Sequence, residues 1–162
     1  MADFQLALEK LLDLEGRKLT NDPNDPGGQT YYGISRRAFP RWMGWAIIDS
    51  GGEPHIDLVA DLYKSAFWEP LRCDEMTYPI AFKLFSMAVN VGQGDAVKFL
   101  QLALDVHPDG KLGPVTMAAL AKADPRRLLI EMAGHQLLHY TVYNPRNIWR
   151  GLFNRAIDEV MP

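Results

Sequence analysis

The sequence predicts an all-α fold with one short extended hairpin near residues 28–34. Three observations carry that expectation. Apolar residues recur at helical spacing along most of the chain, the breaks between those runs are rich in Gly, Pro and Asp, and strand signals are few.

The elements follow in order. Phe4, Leu8 and Leu11 form an apolar stripe, Asp3 is placed to cap the helix, and Gly16 closes it. Residues 17–34 read as a loop, in which Gln29-Thr30-Tyr31-Tyr32-Gly33-Ile34 makes a short extended piece. Ser35 is expected to cap a short helix running toward Trp42. Asp49-Ser50-Gly51-Gly52-Glu53-Pro54 breaks the chain, and Ile56, Val59, Tyr63 and Phe67 restore helical spacing up to Pro70. Residues 80–91 are almost wholly apolar. They are too short to cross a bilayer and read as a buried central helix ended by Gly92 and Gly94. Val97, Leu100 and Leu104 mark the next helix, with Asp95 as its expected cap. Asp109-Gly110-Lys111-Leu112-Gly113-Pro114 is a tight turn that puts Pro114 at a helix start. Asp124-Pro125 repeats that signal and opens a longer helix to about Tyr143. Asn144-Pro145-Arg146-Asn147 ends it, before a last helix carrying Ile148, Leu152 and Phe153.

Composition narrows the function. The chain has 162 residues, 48% of them hydrophobic, which is enough for one compact domain or a domain with a small helical appendage. A net charge of -3 marks no general nucleic-acid binder, and a polyanionic surface would have to be met by local basic patches. The single cysteine, Cys73, permits no internal disulfide, and no histidine near it in sequence supports a thiol nucleophile. The Met-Ala-Asp-Phe-Gln start lacks a basic region followed by a long apolar stretch, so synthesis in the cytoplasm without a signal peptide is expected. No run of about 20 apolar residues occurs, so no stable membrane insertion is expected either.

Metal and cofactor signals are weak. Asp105, Asp109 and Gly110 resemble the start of a calcium loop, but Thr116 stands where the closing Glu belongs. His135 and His139 lie four apart on a helix, without the His-Glu-x-x-His pattern of zinc hydrolases. No phosphate-binding Gly loop precedes a Lys-Ser/Thr pair. No metal and no cofactor are expected.

The most informative residue is Glu15. It continues the stripe of Phe4, Leu8 and Leu11, so a carboxyl group stands where the next core residue belongs. Loss of solvation favours the protonated form, which is the form a general acid needs. After Gly16 comes a turn-dense loop, Asn21-Asp22-Pro23-Asn24-Asp25-Pro26-Gly27-Gly28.

The order Leu14-Glu15-Gly16, then Asn21 to Thr30, then Tyr32-Gly33-Ile34, resembles the signature of glycoside hydrolase family 108, the N-acetylmuramidases that include phage-type lysins. The second half is similar to that family's usual partner, a predicted peptidoglycan-binding region. That similarity runs through Phe85, Ala88-Val89-Asn90-Val91-Gly92, Leu100-Gln101, Asp109 to Pro114, Thr116, Ala119-Leu120 and Phe153-Asn154-Arg155. The resemblance implies a lysozyme-like fold, with residues 1–78 as the catalytic half and 79–162 as a helical wall-binding half packed into the same globule. It also departs from the family pattern. Arg17 replaces a second Gly, Ser86 stands where an acid usually follows the Phe, and Gln136-Leu137-Leu138-His139-Tyr140 lacks the usual Arg.

The resemblance implies cleavage of the β-1,4 bond between MurNAc and GlcNAc in bacterial peptidoglycan. Placement and resemblance together make Glu15 the general acid. Asp25 is the first candidate for base or electrostatic partner, and Asp22 the second. Thr30 is a candidate to position a water, and Gly28, with Gly27, to let the loop or a sugar approach closely. Of the aromatics Tyr31, Tyr32 and Trp68, Tyr32 is favoured as sugar-facing. Asn90, a polar amide at the end of a buried helix, needs a partner, either loop backbone or an N-acetyl group. A leaderless wall hydrolase would act in the periplasm after release by a holin or a dedicated export system. Two rival readings remain: a non-catalytic wall-binding or secretion-accessory protein of the same fold, and a DNA-binding helical regulator using Ser35-Arg36-Arg37 and Arg41. The overall acidity disfavours the second.

Overall fold

The computed structural model describes residues 2–21, 28–143 and 156. The chain divides into two compact units, one spanning Phe4–Ala66 and the other Met1–Asp3 with Phe67–Pro162. Among the described residues the fold is helical with one small antiparallel sheet, a lysozyme-like arrangement.

The first unit opens with α1, Phe4–Glu15, which buries Ala7, Leu8, Leu11 and Leu12. Gly16 ends it at φ 85°, its N–H returning to the Leu12 carbonyl at 3.0 Å. Three strands follow: β1, Leu19–Asn21; β2, Gln29–Tyr31; and β3, Ile34–Ser35. They pair in the order β1-β2-β3, with Thr20 opposite Thr30 and Tyr31 opposite both Leu19 and Ile34. The hairpin therefore forms where expected, but β1 lies in a stretch that the sequence reads as loop. All three of its residues are exposed, so no apolar alternation announces it, and backbone pairing to β2 alone defines it.

The expected helix from Ser35 toward Trp42 does not form. The Ser35 hydroxyl accepts from the Ala38 N–H at 3.3 Å and Phe39 N–H reaches the Ser35 carbonyl, making a single turn. Pro40 then stops propagation, because it lacks an N–H and drives Phe39 out of helical geometry. The helix comes later, as α2, Gly44–Asp49. α3, Ile56–Tyr63, follows the predicted break and buries Val59 and Tyr63.

In the second unit, α4 (Tyr78–Val91), α5 (Gln93–Ala103) and α7 (Pro125–Tyr143) pack on one another, and α6 (Pro114–Leu120) precedes α7. α4 is the predicted central helix, buried from Ile80 to Ala88. α5 is capped by Gly92, with Asp95 in its first turn rather than at the cap. Pro114 opens α6 as expected, and the Asp124 carboxylate caps α7 through the Arg127 N–H at 2.8 Å. The loop before α6 is organised from inside. Gln101, 1% exposed, donates to Asp109 (2.7 Å), the Lys111 carbonyl (3.0 Å) and Thr116 (3.1 Å), and accepts from the Gly110 N–H (2.8 Å). The expected helix of Ile148, Leu152 and Phe153 lies outside the described residues.

Candidate active site

Glu15 is the last residue of α1 and is half-buried. Its side-chain stem lies against Gly33, at the turn between β2 and β3. A Cβ added at Gly33 would stand 2.9 Å from the Glu15 Cβ, 3.0 Å from its Cγ and 2.8 Å from the Tyr63 hydroxyl. Gly33 also sits at φ 77° and Tyr32 at φ 51°, so the turn runs through left-handed backbone on both residues. The Tyr63 hydroxyl pins it from α3, donating to the Tyr32 carbonyl at 2.8 Å. Three separate elements thus meet at one turn: the end of α1, the β2–β3 loop and the end of α3.

The surroundings are aromatic. Tyr31 and Tyr32 lie 4.7 Å apart between ring centroids, Trp42 stacks on Tyr31 at 5.9 Å, and Trp45 meets Trp42 edge-on at 5.2 Å. Each polar tip finds a backbone carbonyl: Trp42 that of Leu58 (3.2 Å), Trp45 that of Phe39 (2.8 Å) and Tyr31 that of Pro54 (3.2 Å). Burial, aided by the nearby Glu53 carboxylate, pushes the Tyr31 phenol up to about 12. Arg36 sits over the Trp45 ring at 5.2 Å and clasps Asp49 through two bonds of 2.7 and 2.5 Å. That hydrogen-bonded guanidinium holds the Asp49 carboxyl below its ordinary range. Arg36 is thereby committed within the fold, which removes a cation from the DNA-binding alternative.

The other predicted residues are distributed as follows. Thr30 is half-buried on β2, its hydroxyl in contact with that of Thr20 across the strand pair. Gly28 sits at φ 68° with open space where a Cβ would stand. Asp25, with Asp22 and Gly27, lies outside the described residues. Arg17 makes its ion pair with Asp13 at 2.8 Å. Asn90 belongs to the second unit, at the exposed end of α4, where its amide oxygen accepts from the Tyr140 hydroxyl at 2.6 Å. Its partner within the fold is thus a side chain rather than loop backbone. Trp68 is fully buried, bonded to Asp74 at 2.8 Å and edge-on to Phe85 at 5.5 Å, so it packs the core and offers no sugar platform. Cys73 is fully buried, which pushes its thiol pKa up and argues against a nucleophile.

Sequence reasoning missed the roles of Gly33 and Tyr63. Gly33 stood in the quoted motif, but Tyr63 reads as an ordinary core position on α3, and nothing local announces that its hydroxyl serves a turn 31 residues earlier.

Comparison with known proteins gives the family and the fold. Among curated proteins there is no match. The structure of SagA from Brucella abortus is similar at a TM-score of 0.75 and 22% identity, covering 98% of this chain and 96% of that one, a likeness of fold. The family model Glycosyl hydrolase 108 matches residues 8–92, more than half of the chain, and that span holds Glu15, the sheet and α4. The chain therefore belongs to glycosyl hydrolase family 108, and its substrate class is the glycan of peptidoglycan.

Proposed function

We propose that this protein is an N-acetylmuramidase that cleaves the β-1,4 bond between MurNAc and GlcNAc, with Glu15 as general acid. The observation that carries the reading is the seat of Glu15. Its stem occupies space that only a glycine at position 33 leaves open, on a turn fixed by Tyr63. A carboxyl group whose stem is seated in this way can deliver its proton to the leaving glycosidic oxygen. Asp25 is proposed as the second carboxyl group, acting as base or charge partner to the oxocarbenium-like centre. Tyr32, Thr30 and Gly28 belong to the same stretch of chain and are proposed to face the sugar. The second unit is proposed to supply further wall contacts, and a holin or export system to deliver the protein to the periplasm.

The test is digestion of purified sacculi by wild type and Glu15→Gln, with mass spectrometry of the released sugars. Products ending in reducing MurNAc from wild type alone support the reading. Equal products from both proteins remove Glu15 from the mechanism. Sacculus binding without products from either protein replaces the reading with a non-catalytic wall binder.

A further inference from the structure

Lys83 is the least expected residue of the second unit. It lies in the middle of the apolar helix α4 and is 0% exposed. Its ammonium donates to the Gln136 amide oxygen at 2.6 Å and to the Ala156 carbonyl at 3.0 Å. The Gln136 amide nitrogen donates to the Tyr140 hydroxyl at 2.6 Å, and Tyr140 donates to the Asn90 amide oxygen, also at 2.6 Å. Gln136 is 0% exposed and Tyr140 1%, whereas Asn90 is exposed. A chain of polar groups therefore runs from the centre of the unit to its surface.

The direction of that chain follows from chemistry. An ammonium group has donors only, so the atom of Gln136 that faces it must be oxygen. Its nitrogen must then face Tyr140, whose oxygen accepts. A phenol carries one proton, and here that proton goes on to Asn90, which must turn its oxygen inward. The NH2 group of Asn90 is left directed away from Tyr140.

We infer that this chain makes Asn90 a one-way recognition point, presenting N–H donors at the surface of the second unit to a hydrogen-bond acceptor of the glycan. The carbonyl oxygen of an N-acetyl group has the matching chemistry. Lys83, Gln136 and Tyr140 are then positioning residues: they fix which end of the Asn90 amide faces out. This inference rests on the muramidase reading for its ligand class, but its geometry stands apart from Glu15.

The experiment uses the whole 162-residue chain carrying Glu15→Gln, expected to bind glycan without turnover, and a soluble GlcNAc–MurNAc tetrasaccharide as probe. Calorimetry compares this parent with added Asn90→Asp, Asn90→Ala, Lys83→Met and Tyr140→Phe. Asn90→Asp keeps the size of the side chain but replaces both donors by an oxygen. It is expected to weaken binding about tenfold, at least as much as Asn90→Ala. Lys83→Met and Tyr140→Phe, which free the amide to flip, are expected to weaken it about threefold. If Lys83→Met does not fold, Tyr140→Phe carries the same question with a smaller change. In the protein with Glu15 intact, these variants are expected to raise KM and leave kcat in place, a split that a general loss of stability does not produce. Binding by Asn90→Asp equal to that of the parent overturns the inference, as does a fall in kcat at constant KM. Hydrolysis of sacculi with no Asn90 effect removes the inference alone. An Asn90 effect without hydrolysis removes the muramidase reading alone. A protein that neither digests sacculi nor binds the probe removes both.

Discussion

The two units satisfy their polar groups in different ways. Among the described residues of Phe4–Ala66, the polar tips of aromatic rings are addressed to backbone carbonyls: Trp42 to Leu58, Trp45 to Phe39, Tyr63 to Tyr32 and Tyr31 to Pro54. In the second unit side chains bond to side chains, in the series Lys83–Gln136–Tyr140–Asn90 and in the cluster of Gln101, Asp109 and Thr116. Rigid rings that hold backbone fix the path of loops, which suits a site built on a turn. Linked side chains fix one another, so the loss of one member reorients the rest.

That contrast can be broken at five points, taken from the largest effect to the smallest. Glu15→Gln keeps the stem that packs on Gly33, so its melting temperature should match wild type while peptidoglycan hydrolysis falls by about 10²–10⁴-fold, measured as release of reducing sugar. Gln101→Leu strips partners from Asp109, Gly110 and Thr116 at once and should lower stability by about 2–4 kcal/mol in urea titration. Turnover of that variant at low temperature should persist, because the damage lies in the second unit. Gly33→Ala should cost about 1–3 kcal/mol through its positive φ and its contacts with Tyr63 and Glu15. Unlike Gln101→Leu, it should also reduce activity, since the displaced atoms include those of Glu15.

The smallest effects are in pH dependence, and their signs oppose. Tyr31 has its folded pKa raised to about 12 by burial. Its contribution is fully present below the unfolded value of about 10 and is lost as pH rises through the folded one. Asp109 has its pKa lowered, chiefly by the hydrogen bond from Gln101 and then by that from the Lys111 N–H. Its contribution is present above the unfolded value of about 3.9 and is lost as pH falls through the folded value. Thermal melts across pH should therefore lose their alkaline slope in Tyr31→Phe and part of their acid slope in Asp109→Asn. Equal slopes in wild type and variant would show that the other groups of that unit set its titration.

The parts legible in the sequence are those determined by neighbours along the chain. Glu15 stood out because helical spacing put a carboxyl group on an apolar stripe, and α4, α6 and α7 announced themselves through apolar runs and Pro starts. What escaped depends on distance in sequence. The strand β1 has no buried residue to mark it. The partner of Asn90 lies 50 positions further on, and those of Lys83 lie 53 and 73 positions on, so a lysine inside an apolar run looks like a local error until those residues fold against it. The turn at Gly33 was visible as a motif, while the hydroxyl that pins it was hidden on a core position of α3.

The indoles carry one more consequence, an optical one. Trp42 and Trp45 belong to the first unit, and Trp68 to the second, where it is withdrawn from water beside Phe85. With Trp149 changed to Phe, one protein keeping only Trp68 and another keeping only the Trp42–Trp45 pair would each emit from a single unit. Red shifts that coincide in denaturant would mean that the units melt together. Shifts that separate would give each unit its own stability, read from the wild-type fold without cutting the chain.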